Sequence, residues 1–162
     1  MPSRAAVRAQ IVSFLQGTPI DQLNQVFSSF PKRINFQVGA LPGQKSRAAA
    51  VVFVEDEREY RLALGGATNG VKRVDYTIVV QVFHHSLWGD ATQAMDDFDV
   101  LIDGIKDRLR SDHRFGDTSG AVVWQAAEPE IEVAYGVPKS VESGATETWA
   151  GIRFTVTQVF NA

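Results

Sequence analysis

The sequence predicts an α+β fold: a mainly antiparallel β-sheet covered on one face by two main α-helices, with extended loops. Three observations lead there. Lys72–Phe83, KRVDYTIVVQVF, puts Val74, Tyr76, Ile78, Val80 and Val82 on one face and Arg73, Asp75, Thr77 and Gln81 on the other. That period of two marks a half-buried strand. Trp149–Phe160 repeats the pattern, with Ile152, Phe154, Val156, Gln158 and Phe160 against Arg153, Thr155 and Thr157. An acidic amphipathic helix lies between them, and strands do not alternate with crossover helices as a parallel sheet requires.

The elements follow in order. Arg4–Gln16 is expected to be a helix with Val7, Ile11, Val12 and Leu15 on one face, capped by Ser3 and stopped by Gly17-Thr-Pro. Ile20–Phe30 is ambiguous: the spacing of Leu23, Val26, Phe27 and Phe30 fits a short helix that Pro31 would end. Asn35–Arg47 reads as a loop. Ala48–Val54 and Glu59–Leu64 read as a hairpin with Glu55-Asp56-Glu57-Arg58 as its charged tip, followed by a glycine-rich connection over residues 65–70.

Asp90 suits a helix N-cap, with Gln93 at the position that completes a capping box. Phe98, Leu101, Ile102, Ile105 and Leu109 then form the buried stripe, led by Met95. Acids gather toward the start of this helix and Lys106, Arg108 and Arg110 toward its end, as the helix dipole favours. Arg114–Gly120 is a turn pinned by Phe115; Ala121–Ala127 and Glu130–Val137 are strands; Pro138–Thr146 is a polar loop.

The 162 residues, 44 % of them apolar, suit one domain over 1–162. The chain contains no cysteine, which excludes disulfides, thiolate metal sites and cysteine nucleophiles. Its opening, MPSRAAVRAQIVSFLQ, has no apolar run of signal-peptide or membrane-span length, so a soluble cytoplasmic protein is expected. The net charge of −3 is uneven: residues 1–47 carry +5 and residues 48–162 carry −8. Such halves complement each other between neighbouring subunits; ordinary solvated charge is the plainer reading.

No catalytic constellation emerges, and the chain is expected not to be an enzyme. His84 and His85 are consecutive on a strand and point to opposite faces. Ser86, Ser111 and His113 lack a nucleophile-elbow context. Gly39 and Lys45 do not have the spacing of a phosphate-binding loop. Asp99 and Asp103 are four apart, but a solvated helix face explains them better than a metal. No cofactor is implied. Trp88, between the histidine pair and the helix cap, is the best candidate for an exposed aromatic; Trp124 and Trp149 suit core or subunit contact. There is no DNA-recognition signature; Arg4, Arg8, Lys32, Arg33, Lys45 and Arg47 allow non-specific phosphate contact, and an acidic body allows passage of DNA without sticking.

The helix VRAQIVSFLQG, the strand KRVDYTIVVQVFHH, the helix DFDVLIDGIKDRLRSD and the closing strand TWAGIRFTVTQVF together resemble the tail terminator proteins of long non-contractile-tailed bacteriophages. The resemblance covers most of the chain in element order rather than in a strict signature. It implies a hexameric ring on the last ring of the tail tube, at the head-proximal end of the virion tail, assembled in the host cytoplasm. That ring stops polymerisation of the tube protein, presents a joining surface to the head–tail connector and leaves a channel for double-stranded DNA. It implies no catalytic residues. The contact positions expected on this basis are Arg4, Arg8, Lys45, Arg47, Glu55, Asp56, Glu57, Arg58, Trp88 and Lys139, with Asn35–Arg47 and Gly136–Thr146 as contact loops. Head-completion and adaptor proteins share this order of elements, and a non-viral α+β interaction domain is the alternative of another class.

Overall fold

The computed structural model describes residues 3–61, 70–119, 122–124, 130–141 and 143–161, with residues 160 and 161 described by their backbone alone. The expected connection over 65–69, the end of the expected hairpin at 62–64, positions 120–121 and 125–127, and the Phe160 side chain lie outside the described residues. The α+β class holds: the described residues form two helices and a mostly antiparallel mixed sheet of seven strands. The order is α1 (Arg4–Gln16), β1 (Leu23–Phe27), β2 (Ser46–Arg61), β3 (Val71–Ser86), α2 (Ala91–Arg110), β4 (Val122–Trp124), β5 (Glu132–Tyr135), β6 (Lys139–Ser140) and β7 (Thr146–Asn161).

The three long strands form the frame. β3 lies between β2 and β7, antiparallel to both, paired with β2 from Lys72 to Ser86 and with β7 from Val71 to Ser86. β1 runs parallel to β2 outside it, while β4, β5 and β6 pair at successive heights along the other edge of β7. The even-numbered residues of β3 and β7 form the core face, as their alternation predicts. Tyr76, Ile78, Val80, Val82, Ile152, Phe154 and Val156 are buried there under α1 and α2. The two helices bring Val7, Ile11, Val12 and Leu15, and Phe98, Leu101, Ile102, Ile105 and Leu109, all buried as expected. Phe115 is fully buried and pins its turn.

Three expected elements differ. Lys139–Ser140, inside the expected polar loop Pro138–Thr146, is the short strand β6, set by its pairing with Glu147 and Thr146 of β7. Leu23–Phe27 is a strand, although its apolar spacing fits a helix, because it pairs with Ala48–Val51 of β2. A run of five residues cannot set its own conformation against such distant backbone partners. The expected hairpin is instead one continuous strand. Glu55, Asp56, Glu57 and Arg58 are not a tip but lie within β2, where Glu57 pairs with Tyr76 and Arg58 with Asp75. A register shift between Val54 and Asp56 moves the side chains after it by one place. β1 stops pairing at Val51, so beyond it β2 is an edge among the described residues. A bulge and a charged run are devices that keep an open edge from pairing with a stranger.

Capping also differs from expectation. Ser3 accepts from Ala6 N at 3.1 Å, as predicted. Gly17, however, has right-handed geometry (φ −67°). The carbonyl of Phe14 is satisfied from the other helix, by Arg108 Nε at 3.0 Å and Nη2 at 2.8 Å, with the guanidinium carbon 3.9 Å from the centre of the Phe14 ring. Asp90 caps α2 by accepting from Thr92 N at 2.9 Å, but Gln93 donates forward to Asp97 Oδ1 and closes no capping box. Replacing Arg108 with alanine loses two charge-assisted bonds and the ring contact. The expected cost is about 2 kcal/mol in urea unfolding; an unchanged midpoint would remove this bridge from the account.

Candidate assembly surface

The face of the sheet away from the helices divides in two. At one end the segment after β1 folds back over it. The Phe30 ring packs on Phe53 at 5.3 Å, and Phe36 stacks on His85 at 5.0 Å and 13°. Asn24 and Gln25 hold this segment through side-chain bonds to the carbonyls of Gly39, Asn35 and Val38. Between it and the ends of β3 and β7 lies a cleft of about 430 Å³. Phe30, Phe36, Phe83, Val137 and Trp149 supply its apolar lining, and Lys32, Arg33 and Lys139 its cations. Several of the apolar groups remain in water: Phe30 is 59 % exposed, Val137 86 % and Trp149 44 %. Gly136 donates its N–H to Trp149 O at 2.8 Å, and a β-carbon on Gly136 would fall 2.2 Å from the indole ring. Only glycine lets the chain lie flat on this tryptophan.

The other end of the same face is polar. Arg153 pairs with Glu55 at 2.8 Å and with Glu132 at 3.8 Å, linking three strands. Asp75, buried, accepts two bonds from Arg73 at 2.8 and 2.7 Å and one from Thr157 Oγ1 at 2.7 Å. The Asp75 hydrogen bonds raise the Arg73 pKa further above its ordinary value.

The expected contact residues are scattered rather than gathered. Arg4 pairs with Glu57 at 3.2 Å on the helix side, so part of the basic–acidic complementarity closes within one chain. Arg8 is half-buried, with its Nε buried and without a hydrogen-bond partner among the described residues. Asp56 pairs with Arg58 at 3.7 Å on the exposed part of β2. Lys45 is exposed, and Arg47 belongs to β2 rather than a loop, donating from Nε to Gln44 O at 3.2 Å. Lys139, exposed in β6, is the member that reaches the cleft. Phe30, Phe36, Lys32 and Arg33 were not expected there, because a loop that doubles back across a sheet has no periodicity to reveal it.

Trp88 is partly exposed, but its indole N–H donates to Asp97 Oδ2 at 2.8 Å. Asp97 anchors a polar cluster beneath the start of α2. The Ser46 hydroxyl also donates to its Oδ2, and Ser46 and Ser86 hydroxyls lie 3.1 Å apart. The Gln22 side chain donates to Asp97 O at 2.9 Å, which leaves its carbonyl oxygen facing His84 Nε2 at 3.1 Å. That orientation makes His84 the donor, neutral and protonated on Nε2. Burial is the largest influence on His84 and pushes its pKa down to about 4, against the attraction of Asp97 and with the help of His85. Burial opposes ionisation of Asp97, but the bonds from Ser46, Gln93 and Trp88 together outweigh it and hold the carboxyl below its ordinary range. His85, on the opposite face as expected, meets Glu147 at 3.3 Å.

Among the described residues, no three His, Asp or Glu side chains gather to hold a metal ion, and no helix is long and apolar enough to cross a membrane. No protein-family model matches the chain, and no curated protein matches its sequence.

Proposed function

We propose that this chain is a structural virion protein that forms a hexameric ring on the end of a phage tail tube, stops tube growth and offers the head connector its joining surface. The resemblance in element order supports this reading. The observation that carries it is the sheet itself: one face is sealed by two helices, while the other keeps large apolar side chains and cations in water around an open cleft. Exposed apolar groups within a charged rim mark protein contact surfaces. The role needs no turnover. Termination requires a ring face that fits the tube and an opposite face that refuses another tube subunit. Its place is the head-proximal end of the tail, around a channel through which the genome passes.

The test is tube growth. Purified tube protein of the same virus is allowed to polymerise with increasing amounts of this protein. Tubes that shorten with dose and then stop growing are the expected result. Incorporation along tube walls, or normal length at every dose, would overturn termination; attachment to the portal alone would assign the adaptor role.

A further inference from the structure

We propose that the cleft on the open sheet face is the socket for the outer face of α2 from a second copy of this chain, and that this contact closes the ring. The inference rests on the ring reading above. The socket has aromatic walls and carries Lys32, Arg33 and Lys139, none of which has an ion pair among the described residues, against one carboxylate, Glu147, which meets His85 at 3.3 Å. The counterpart lies on the other side of the subunit. Asp96, Asp99, Val100 and Asp103 share the solvent side of α2, at helical spacing and all exposed. Val100 is 57 % exposed at the centre of this stripe. Asp103 is paired with Lys106 at 2.8 Å, whereas Asp96 and Asp99 have no ion pair among the described residues.

An acidic stripe around one aliphatic side chain thus matches an apolar cleft where three cations outnumber the single carboxylate of Glu147. Geometry selects the symmetry. A two-fold contact would set cleft against cleft and bring Lys32, Arg33 and Lys139 against their own copies. Complementary patches on opposite faces of one subunit make a head-to-tail contact, which closes into a ring when the rotation permits. Charge then fixes the order of approach, and the apolar centre supplies the burial.

The experiment uses two double variants of the full chain, Asp96→Lys with Asp99→Lys, and Lys32→Glu with Arg33→Glu, examined by native mass spectrometry and sedimentation. All four positions are exposed, so melting temperatures should stay near that of the parent chain. Each variant alone should self-associate about tenfold more weakly, or worse, because like charges then face each other. An equal mixture of the two should assemble again, as an alternating ring, since each acidic surface now meets a basic one. Parent rings that neither variant disturbs would overturn the socket and leave the ring reading intact. Loss of assembly without rescue in the mixture would overturn the pairing of these two surfaces, as would variants that form rings but no longer hold tube ends. A parent chain that forms no ring, alone or on tube ends, would remove the ring reading and the socket with it.

Discussion

Replacing Phe115 with alanine is expected to remove about 3–5 kcal/mol of stability, the largest single loss from any side chain of the turn after α2. Phe115 is fully buried and sits among three aromatic rings: Phe14 edge-on at 5.7 Å, Trp124 at 5.4 Å and Phe154 at 5.9 Å. It therefore joins α1, β4 and β7 through one residue. Its backbone is also unusual, with φ +52°, followed by Gly116 at +72°. Asp112 holds this conformation by accepting from Arg114 N at 2.9 Å and Gly116 N at 2.8 Å, while Gln10 donates to Phe115 O at 2.6 Å. Left-handed geometry costs about 1 kcal/mol for any residue with a β-carbon and little for glycine. Phe115→Gly should accordingly be no more destabilising than Phe115→Ala, the reverse of the order in a helix. Urea unfolding of both variants tests this. A loss below about 1 kcal/mol for alanine would mean that the rings repack around the gap.

Acidification should weaken the fold well above the range where most carboxylates titrate. His84 has a pKa of about 4 in the fold, against an ordinary value of 6.5. The unfolded chain binds a proton there that the native state refuses. Stability is therefore full above pH 6.5, declines as pH falls toward 4, and loses about 3 kcal/mol across that window. Asp97 acts later with the same sign: its depressed pKa adds stability above the ordinary carboxylate value, lost as pH falls through its folded value. The groups facing His84 are Gln22, the Phe98 ring at 5.2 Å, and the charges of Asp97 and His85. His84→Gln should flatten the profile between pH 6.5 and 4 while leaving the Asp97 limb. An unaltered slope in that variant would assign the acid sensitivity elsewhere.

What the sequence revealed, and what it hid, follows from where periodicity operates. The α2 stripe and the core faces of β3 and β7 were legible because each has one dry side and one wet side over many residues. The run Glu55–Arg58 was misleading because among the described residues β2 is an edge there and is exposed on both faces, so a strand reads like a turn. Leu23–Phe27 is ambiguous in sequence because parallel pairing with a distant strand outweighs helical spacing over so short a stretch. Asp96 and Asp97 look equivalent as acids near a helix start. Only the convergence of β2, β3 and α2 separates an exposed Asp96 from a half-buried Asp97 holding Ser46, Trp88 and Gln93. The cleft was the least legible part. One of its rim cations, Lys139, was among the expected contacts, but the aromatic walls come from a loop and two strand ends that meet only in the fold.

Electron microscopy of the purified protein mixed with preformed tail tubes of the same virus tests the central claim most directly. Six-fold rings seated at one end of each tube, with the walls bare and the capped end closed to further tube protein, are the expected result. Decoration of both ends or of the walls, or tubes that bind nothing while the protein remains monomeric, would contradict it.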